Sequence, residues 1–104
     1  MRLISKPRRG GKTTELIRNC HNNGRLIVCH SRAEARRIYN QAVTTGYQIV
    51  LPITYDEFMT RGYFGRHIDG FCIDNLDMFL SNIAGNIPVT AATLTSNEWD
   101  EENN

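Results

Sequence analysis

Short apolar runs alternate along the chain with stretches whose apolar residues recur at helical spacing, and this alternation predicts the elements in order. "RLIS", residues 2–5, is a short strand-like segment that meets Pro7 and the pair Gly10-Gly11; "KTTELIRNCHNN" then has the composition of a helix ending at Gly24. "RLIVCH", residues 25–30, is a second strand. Ser31 with Glu34 three residues later makes a capping box that opens a helix running to about residue 44. "YQIVLPI", residues 47–53, predicts a third strand broken at Pro52, and Thr54 with Glu57 makes a second capping box before the short helix "YDEFMTR". "GFCID", residues 70–74, predicts a fourth strand feeding the helix "NLDMFLSNIA", which stops at Gly85. "IPVTAATLT", residues 87–95, supplies a fifth strand.

Strands that alternate with helices imply a parallel sheet with right-handed crossovers and helices on both faces. The expected fold is therefore α/β: one three-layer α/β/α domain over residues 1–95 with a mostly parallel five-stranded sheet. Such sheets bind ligands at the carboxyl ends of their strands. The last residues, "SNEWDEENN" at 96–104, are polar and acidic with little to bury, and are expected to form a disordered tail that Trp99 could dock locally.

Composition narrows the class without changing this architecture. The chain has 104 residues, 40% hydrophobic and 22% charged, as in an ordinary globular domain with one modest core. No apolar run approaches the ~18 residues of a membrane span, and the start, "MRLISKPRRG", has too short an apolar stretch for a secretory signal. The expectation is a cytoplasmic protein, in the host cell's cytoplasm if phage-encoded, with no membrane partner. Cys20, Cys29 and Cys72 are odd in number and lack the paired spacing of a zinc site, so they read as small buried hydrophobes. His21 and His30 stand beside two of them, but neighbours in a helix or strand point different ways.

Charge is unevenly distributed. Residues 1–37 carry ten Lys/Arg against two Glu, residues 38–97 two Arg against five acids, and the remainder four acids. A basic first third suits a polyanionic ligand, and equally suits a solvated helix face bearing Arg32, Arg36 and Arg37.

The chemistry concentrates in "SKPRRGGKTTEL", residues 5–16. It reads as a phosphate loop of the pattern G-x-x-x-x-G-K-[ST], with Lys6 at the place of the first glycine. Gly10 and Gly11 let backbone amides close around phosphate oxygens, Lys12 supplies a point charge, and the Thr13 hydroxyl can hold Mg²⁺; Arg9 and Thr14 flank this cradle. The helix that follows adds its positive N-terminal end. Asp74, at the end of the fourth strand, can reach the Mg²⁺ shell, or can cap the next helix. Hydrolysis also needs a group that orients the attacking water. Asn75 stands where a glutamate often follows the Mg²⁺-associated aspartate, and Asp77, one helical turn on from Asp74, can substitute for it or equally be a solvated first-turn acid. The catalytic candidates are thus Lys12, Asp74 and Asp77, and the cofactors ATP, or another NTP, with Mg²⁺.

At this point residues 2–95 resemble the RecA-like P-loop NTPases, particularly the first ATPase domain of helicases, translocases and viral packaging motors, and are similar in length and element order to small ATP-binding proteins of phages. "PRRGGKTT" looks like their phosphate loop, "IVCHSRAEA" like a segment that often touches a nucleic acid strand, and "FCIDNLD" like their Asp-Glu box with the glutamate replaced. "VTAATLT" resembles the strand that senses the γ-phosphate, which implies a nucleotide contact for Thr93 or Thr95. The resemblance places the fifth strand between the first and the fourth. It implies a nucleic-acid-associated ATPase or ATPase-like subunit, with single- or double-stranded DNA as a partner.

Three departures qualify that reading: no second RecA-like domain is expected, Asn75 replaces the glutamate, and nothing after residue 95 supplies an arginine finger. Such an arginine would come from Arg8 or Arg9, or from a protein partner or homo-oligomer through Arg61 or Arg66. The second reading is a nucleotide-binding protein-interaction module without turnover. The third is a small nucleotide or nucleoside kinase, since "GGKTTELIRNC" is also similar to thymidine kinases. "TRGYFGRH", residues 60–67, with two glycines, two aromatics and two arginines, is the candidate loop for a partner or nucleic acid contact.

Overall fold

A computed structural model describes residues 1–7, 11–95 and 100–101. The elements in order are β1 (Arg2–Leu3), α1 (Lys12–Asn19), β2 (Arg25–Cys29), α2 (Arg32–Thr44), β3 (Ile53–Thr54), α3 (Tyr55–Met59), β4 (Gly70–Ile73), α4 (Leu76–Ile83) and β5 (Asp100–Glu101). The fold is α/β, with a parallel sheet in the order β3-β2-β4 and a separate parallel pair β1-β5.

β2 is the central strand because it is apolar on both faces. Leu26, Ile27, Val28 and Cys29 are all buried, and successive side chains leave opposite faces of the sheet. Ile27 and Cys29 join Ile17 and Cys20 of the first helical segment and Ala35, Ile38 and Ala42 of α2 in one cluster. Leu26 and Val28 join Ile53, Tyr55 and Phe79 in the other, with Phe58 and Leu80 packed against it. Helices α1 and α2 therefore cover one face, α3 and α4 the other. Register follows from this: Val28 pairs with Ile53 on one side, and Leu26 to Val28 pair with Phe71 to Ile73 on the other.

The helix starts follow their local chemistry. Ser31 caps α2 by accepting from Glu34 N at 3.1 Å. The box expected at this site is half formed, because the Glu34 carboxylate pairs with Arg37. Thr54 and Glu57 form the full reciprocal box at α3, with both bonds near 3 Å. Gly85 stops α4 in the left-handed region, φ 72°.

Two expected strands differ. Of residues 47–53 only Ile53 is strand; the preceding stretch leaves the sheet to wrap the end of the first helical unit. Asn22 N donates to Gln48 O at 2.8 Å and Gln48 N to His21 Nδ1 at 2.9 Å, and Pro52 has no N–H to offer β2. Residues 87–95 form no strand at all and are exposed throughout, so among the described residues the five-stranded sheet expected from the pattern is a three-stranded one. Asn86 at φ 67°, directly after Gly85, turns the chain away from the sheet, and Pro88 again withholds a donor. Beside the outer edge of β4 lies a groove of about 1220 Å³, lined by residues 1–6 on one side and 70–77 on the other. The tail expected at 96–104 contributes Asp100–Glu101, which pair with Arg2–Leu3; residues 96–99, including Trp99, and 102–104 lie outside the described residues.

Candidate functional site

The carboxyl ends of β2 and β4 meet the start of α1. Gly11 precedes α1 at φ 84°, with nothing within 4 Å of where a Cβ would stand, so backbone conformation and not space demands glycine there. Lys12 and Thr13 follow at the head of the helix. Arg8, Arg9 and Gly10, the other expected phosphate-loop residues, lie outside the described residues.

Lys12, Thr13, Asp74, Asn75 and Asp77 line one cleft of about 390 Å³. The expected site residues from two distant stretches are thus brought together. Lys12 Nζ donates to Asn75 Oδ1 at 3.4 Å, and Asn75 Nδ2 reaches Asp74 Oδ2 at 3.5 Å. Asn75 holds a left-handed backbone, φ 55° and ψ 69°, and its turn is anchored from below: the Tyr55 hydroxyl donates to Asp74 O at 2.6 Å and lies 3.3 Å from Asn75 O. Asp74 is 6% exposed. Burial, and then the charge of Glu34, raise its carboxyl above the ordinary range, while Arg37, Lys12 and His30 pull the other way.

Two expected residues are placed elsewhere. The Thr14 hydroxyl accepts from Gln41 Nε2 at 3.1 Å and so ties α1 to α2. Thr93 is exposed, in the strandless segment, and does not line the cleft.

Four residues not assigned to the site from the sequence do line it: Met78 of α4, His30, which directly follows β2, and Glu34 and Arg37 on the first turns of α2. In sequence Glu34 reads as a capping partner and Arg37 as a solvated face. What places them is the sheet order, since β2 lies next to β4 and α2 starts at the same end as Asp74. The periodicity of α2 alone carries no signal of that neighbour.

Chemically, the cleft combines two fixed cations, Lys12 and Arg37, three carboxylates, Glu34, Asp74 and Asp77, and the N-terminal end of an eight-residue helix. Among the described residues no group of three or more His, Cys, Asp or Glu could hold a metal ion by itself. Thr13 and Asp74 offer hard oxygen donors at one place, which suits a Mg²⁺ ion that keeps most of its coordination for water and a ligand's phosphate oxygens. No protein-family model, curated protein or solved structure matches the chain.

Proposed function

We propose that the chain is a P-loop nucleotide-binding protein of RecA-like kind that binds ATP, or a related NTP, with Mg²⁺. One observation carries the reading: Lys12, behind a left-handed glycine at a helix start, and buried Asp74, at the end of a parallel strand, line the same cleft. The Lys12 ammonium neutralises the outer phosphates, the α1 N-terminus receives the others, and Thr13 and Asp74 hold the Mg²⁺ that offsets phosphate charge. In the RecA-like arrangement a strand stands between the first and fourth. That place corresponds to the groove between β1 and β4, and the β-prone residues 87–95 lie exposed and unpaired with either.

Turnover on this reading falls to Glu34. Its carboxylate faces the same cleft, opposite the head of α1, and can accept a hydrogen bond from an attacking water. Asp77 stands at the mouth, in the first turn of α4. The protein then acts as a DNA-associated ATPase or ATPase-like subunit, with any further arginine supplied by a partner or a second copy. A second reading, a nucleotide-binding interaction module without turnover, is favoured by Asn75: its amide oxygen occupies the lysine and it offers no base.

The test is calorimetry of Mg·ATP on the wild type and on Lys12→Ala, with released phosphate followed with and without single-stranded DNA. Binding weakened by about ten- to a hundredfold in the variant, the worth of a charge-assisted bond of ~1.5–3 kcal/mol, is the expected result. Phosphate release then separates ATPase from silent module, and a wild type that binds neither ATP nor GTP overturns both readings.

A further inference from the structure

Cys20 and Cys72 come from distant parts of the chain and meet beneath the groove. Cys20 follows the last residue of α1 and is 2% exposed. Cys72 lies in β4, opposite Ile27 of β2, packs against the cluster that contains Cys20, and is only partly buried because it also lines the groove. As a thiol it donates to Asn19 Oδ1 at 3.6 Å; that same oxygen accepts from Arg25 Nη1 at 2.6 Å, which sets a guanidinium beside the sulfur. The third thiol is unlike them. Cys29 is wholly buried, donates to the carbonyls of Ser31 and Ile53, and is pushed up to about 11 by burial.

We propose that Cys20 and Cys72 form a hydroperoxide-reactive dithiol, with Cys72 as the attacking sulfur, Cys20 as the resolving one, and an intramolecular disulfide between α1 and β4 as the product. The groove admits a small oxidant to Cys72 and not to Cys20, which fixes the order of events. The Cys72 thiolate attacks one peroxide oxygen: a sulfur–oxygen bond forms, the oxygen–oxygen bond breaks, and the departing hydroxide takes up the proton that Cys72 released. The Cys20 sulfur then attacks the sulfenic sulfur, the sulfur–sulfur bond forms, and the leaving hydroxide departs as water with the Cys20 proton. Two thiols and one hydrogen peroxide thus give one disulfide and two waters. The neighbouring Cys20 thiol and the Arg25 charge hold the Cys72 thiol below its ordinary range against burial, and the neighbouring Cys72 together with burial raises Cys20. The inference stands on these side chains alone and is independent of the nucleotide reading.

The experiment treats the reduced full-length chain with hydrogen peroxide and reads the intact mass and the unreduced tryptic map. The expected product has lost the mass of two hydrogens and joins the peptide of residues 19–25 to that of residues 67–104, while the Cys29 peptide keeps a free thiol. Cys72→Ser should slow peroxide-driven thiol loss by about tenfold or more. Cys20→Ser should instead carry oxygen on Cys72 without a cross-link. Should that variant fail to fold, phenylarsine oxide on the wild type serves in its place: one equivalent should protect Cys20 and Cys72 together from alkylation. A cross-link through Cys29, disulfides only between chains, or a wild type that accumulates sulfinic Cys72 beside free Cys20 overturns the proposal.

Discussion

Lys12 Nζ donates to the Asn75 side-chain oxygen across 3.4 Å, although the two residues are 63 positions apart. Asn75 does two things there. It adopts the left-handed backbone that the turn after β4 requires, which asparagine tolerates better than most residues, and it offers a neutral acceptor to the lysine. A glutamate in its place has no such local hydrogen-bonding compensation for φ 55°. The backbone therefore gives a physical reason for asparagine at a position where the resemblance implies a glutamate.

Replacing Asn75 tests that reason. Asn75→Glu is expected to lose about 1 kcal/mol of stability, the typical penalty for a left-handed residue without compensation. Asn75→Gly should stay within about 0.5 kcal/mol of the wild type, because glycine accepts the conformation while losing the bond to Lys12. Urea unfolding of both variants measures the difference, and a glutamate variant as stable as the glycine one would sink the explanation.

Tyr55→Phe removes the hydroxyl that donates to Asp74 O at 2.6 Å inside the core, leaving that carbonyl without its donor. The expected loss is about 1–3 kcal/mol by thermal or urea melting. Mg·ATP affinity should fall with it if the anchored turn positions Asp74. An unchanged melting temperature would mean that water replaces the phenol.

Asp74 makes stability depend on pH in a stated direction. Its carboxyl holds a proton to higher pH in the folded protein than in the unfolded chain. The fold therefore loses stability as pH rises from the ordinary carboxylate range through the raised pKa, and carries the full penalty above it. Asp74→Asn should be more stable than the wild type at neutral pH, with the advantage vanishing in acid, while Mg·ATP binding weakens by about tenfold or more. The same two curves measured by urea unfolding and calorimetry check both halves; equal stability at every pH would refute the burial penalty.

Glu34→Gln keeps the size of the side chain and removes its charge. Phosphate release, if the wild type has it, should fall by about a hundredfold with Mg·ATP affinity changed less than about twofold. Stability should shift by no more than about 0.5 kcal/mol, since the pair with Arg37 is largely exposed on the arginine side. Equal loss of binding and turnover would make Glu34 a cleft-shaping residue and leave the base elsewhere.

Much of the fold was legible because local chemistry and packing agree. The apolar run of β2, the Ser31 cap, the Thr54–Glu57 box and the Gly85 stop are each realised within a residue or two of expectation. Residues 47–52 and 87–95 were not legible. An apolar, β-branched run states that a strand is favourable, not that an edge lies within reach, and here Pro52 and Pro88 withhold donors while Asn86 redirects the chain. In the site, Lys12, Thr13 and Asp74 were found by motif. Glu34, Arg37 and His30 escaped because their place depends on β2 lying beside β4, a long-range fact that no local pattern encodes. The meeting of Cys20 with Cys72 escaped for the same reason.

The central position of β2 also sets an order of events on the ribosome. The cluster on one face of the strand draws almost entirely on residues 16–49, so it can close as soon as α2 has emerged. The other face needs Ile53, Tyr55 and Phe79, and the second neighbour of β2 is complete only at Ile73. A nascent chain halted before that point presents Lys12 on a formed helix with Leu26 and Val28 bare and no aspartate opposite. The newborn protein thus acquires its cleft only once synthesis has reached the final core helix, ahead of the β1–β5 pair alone.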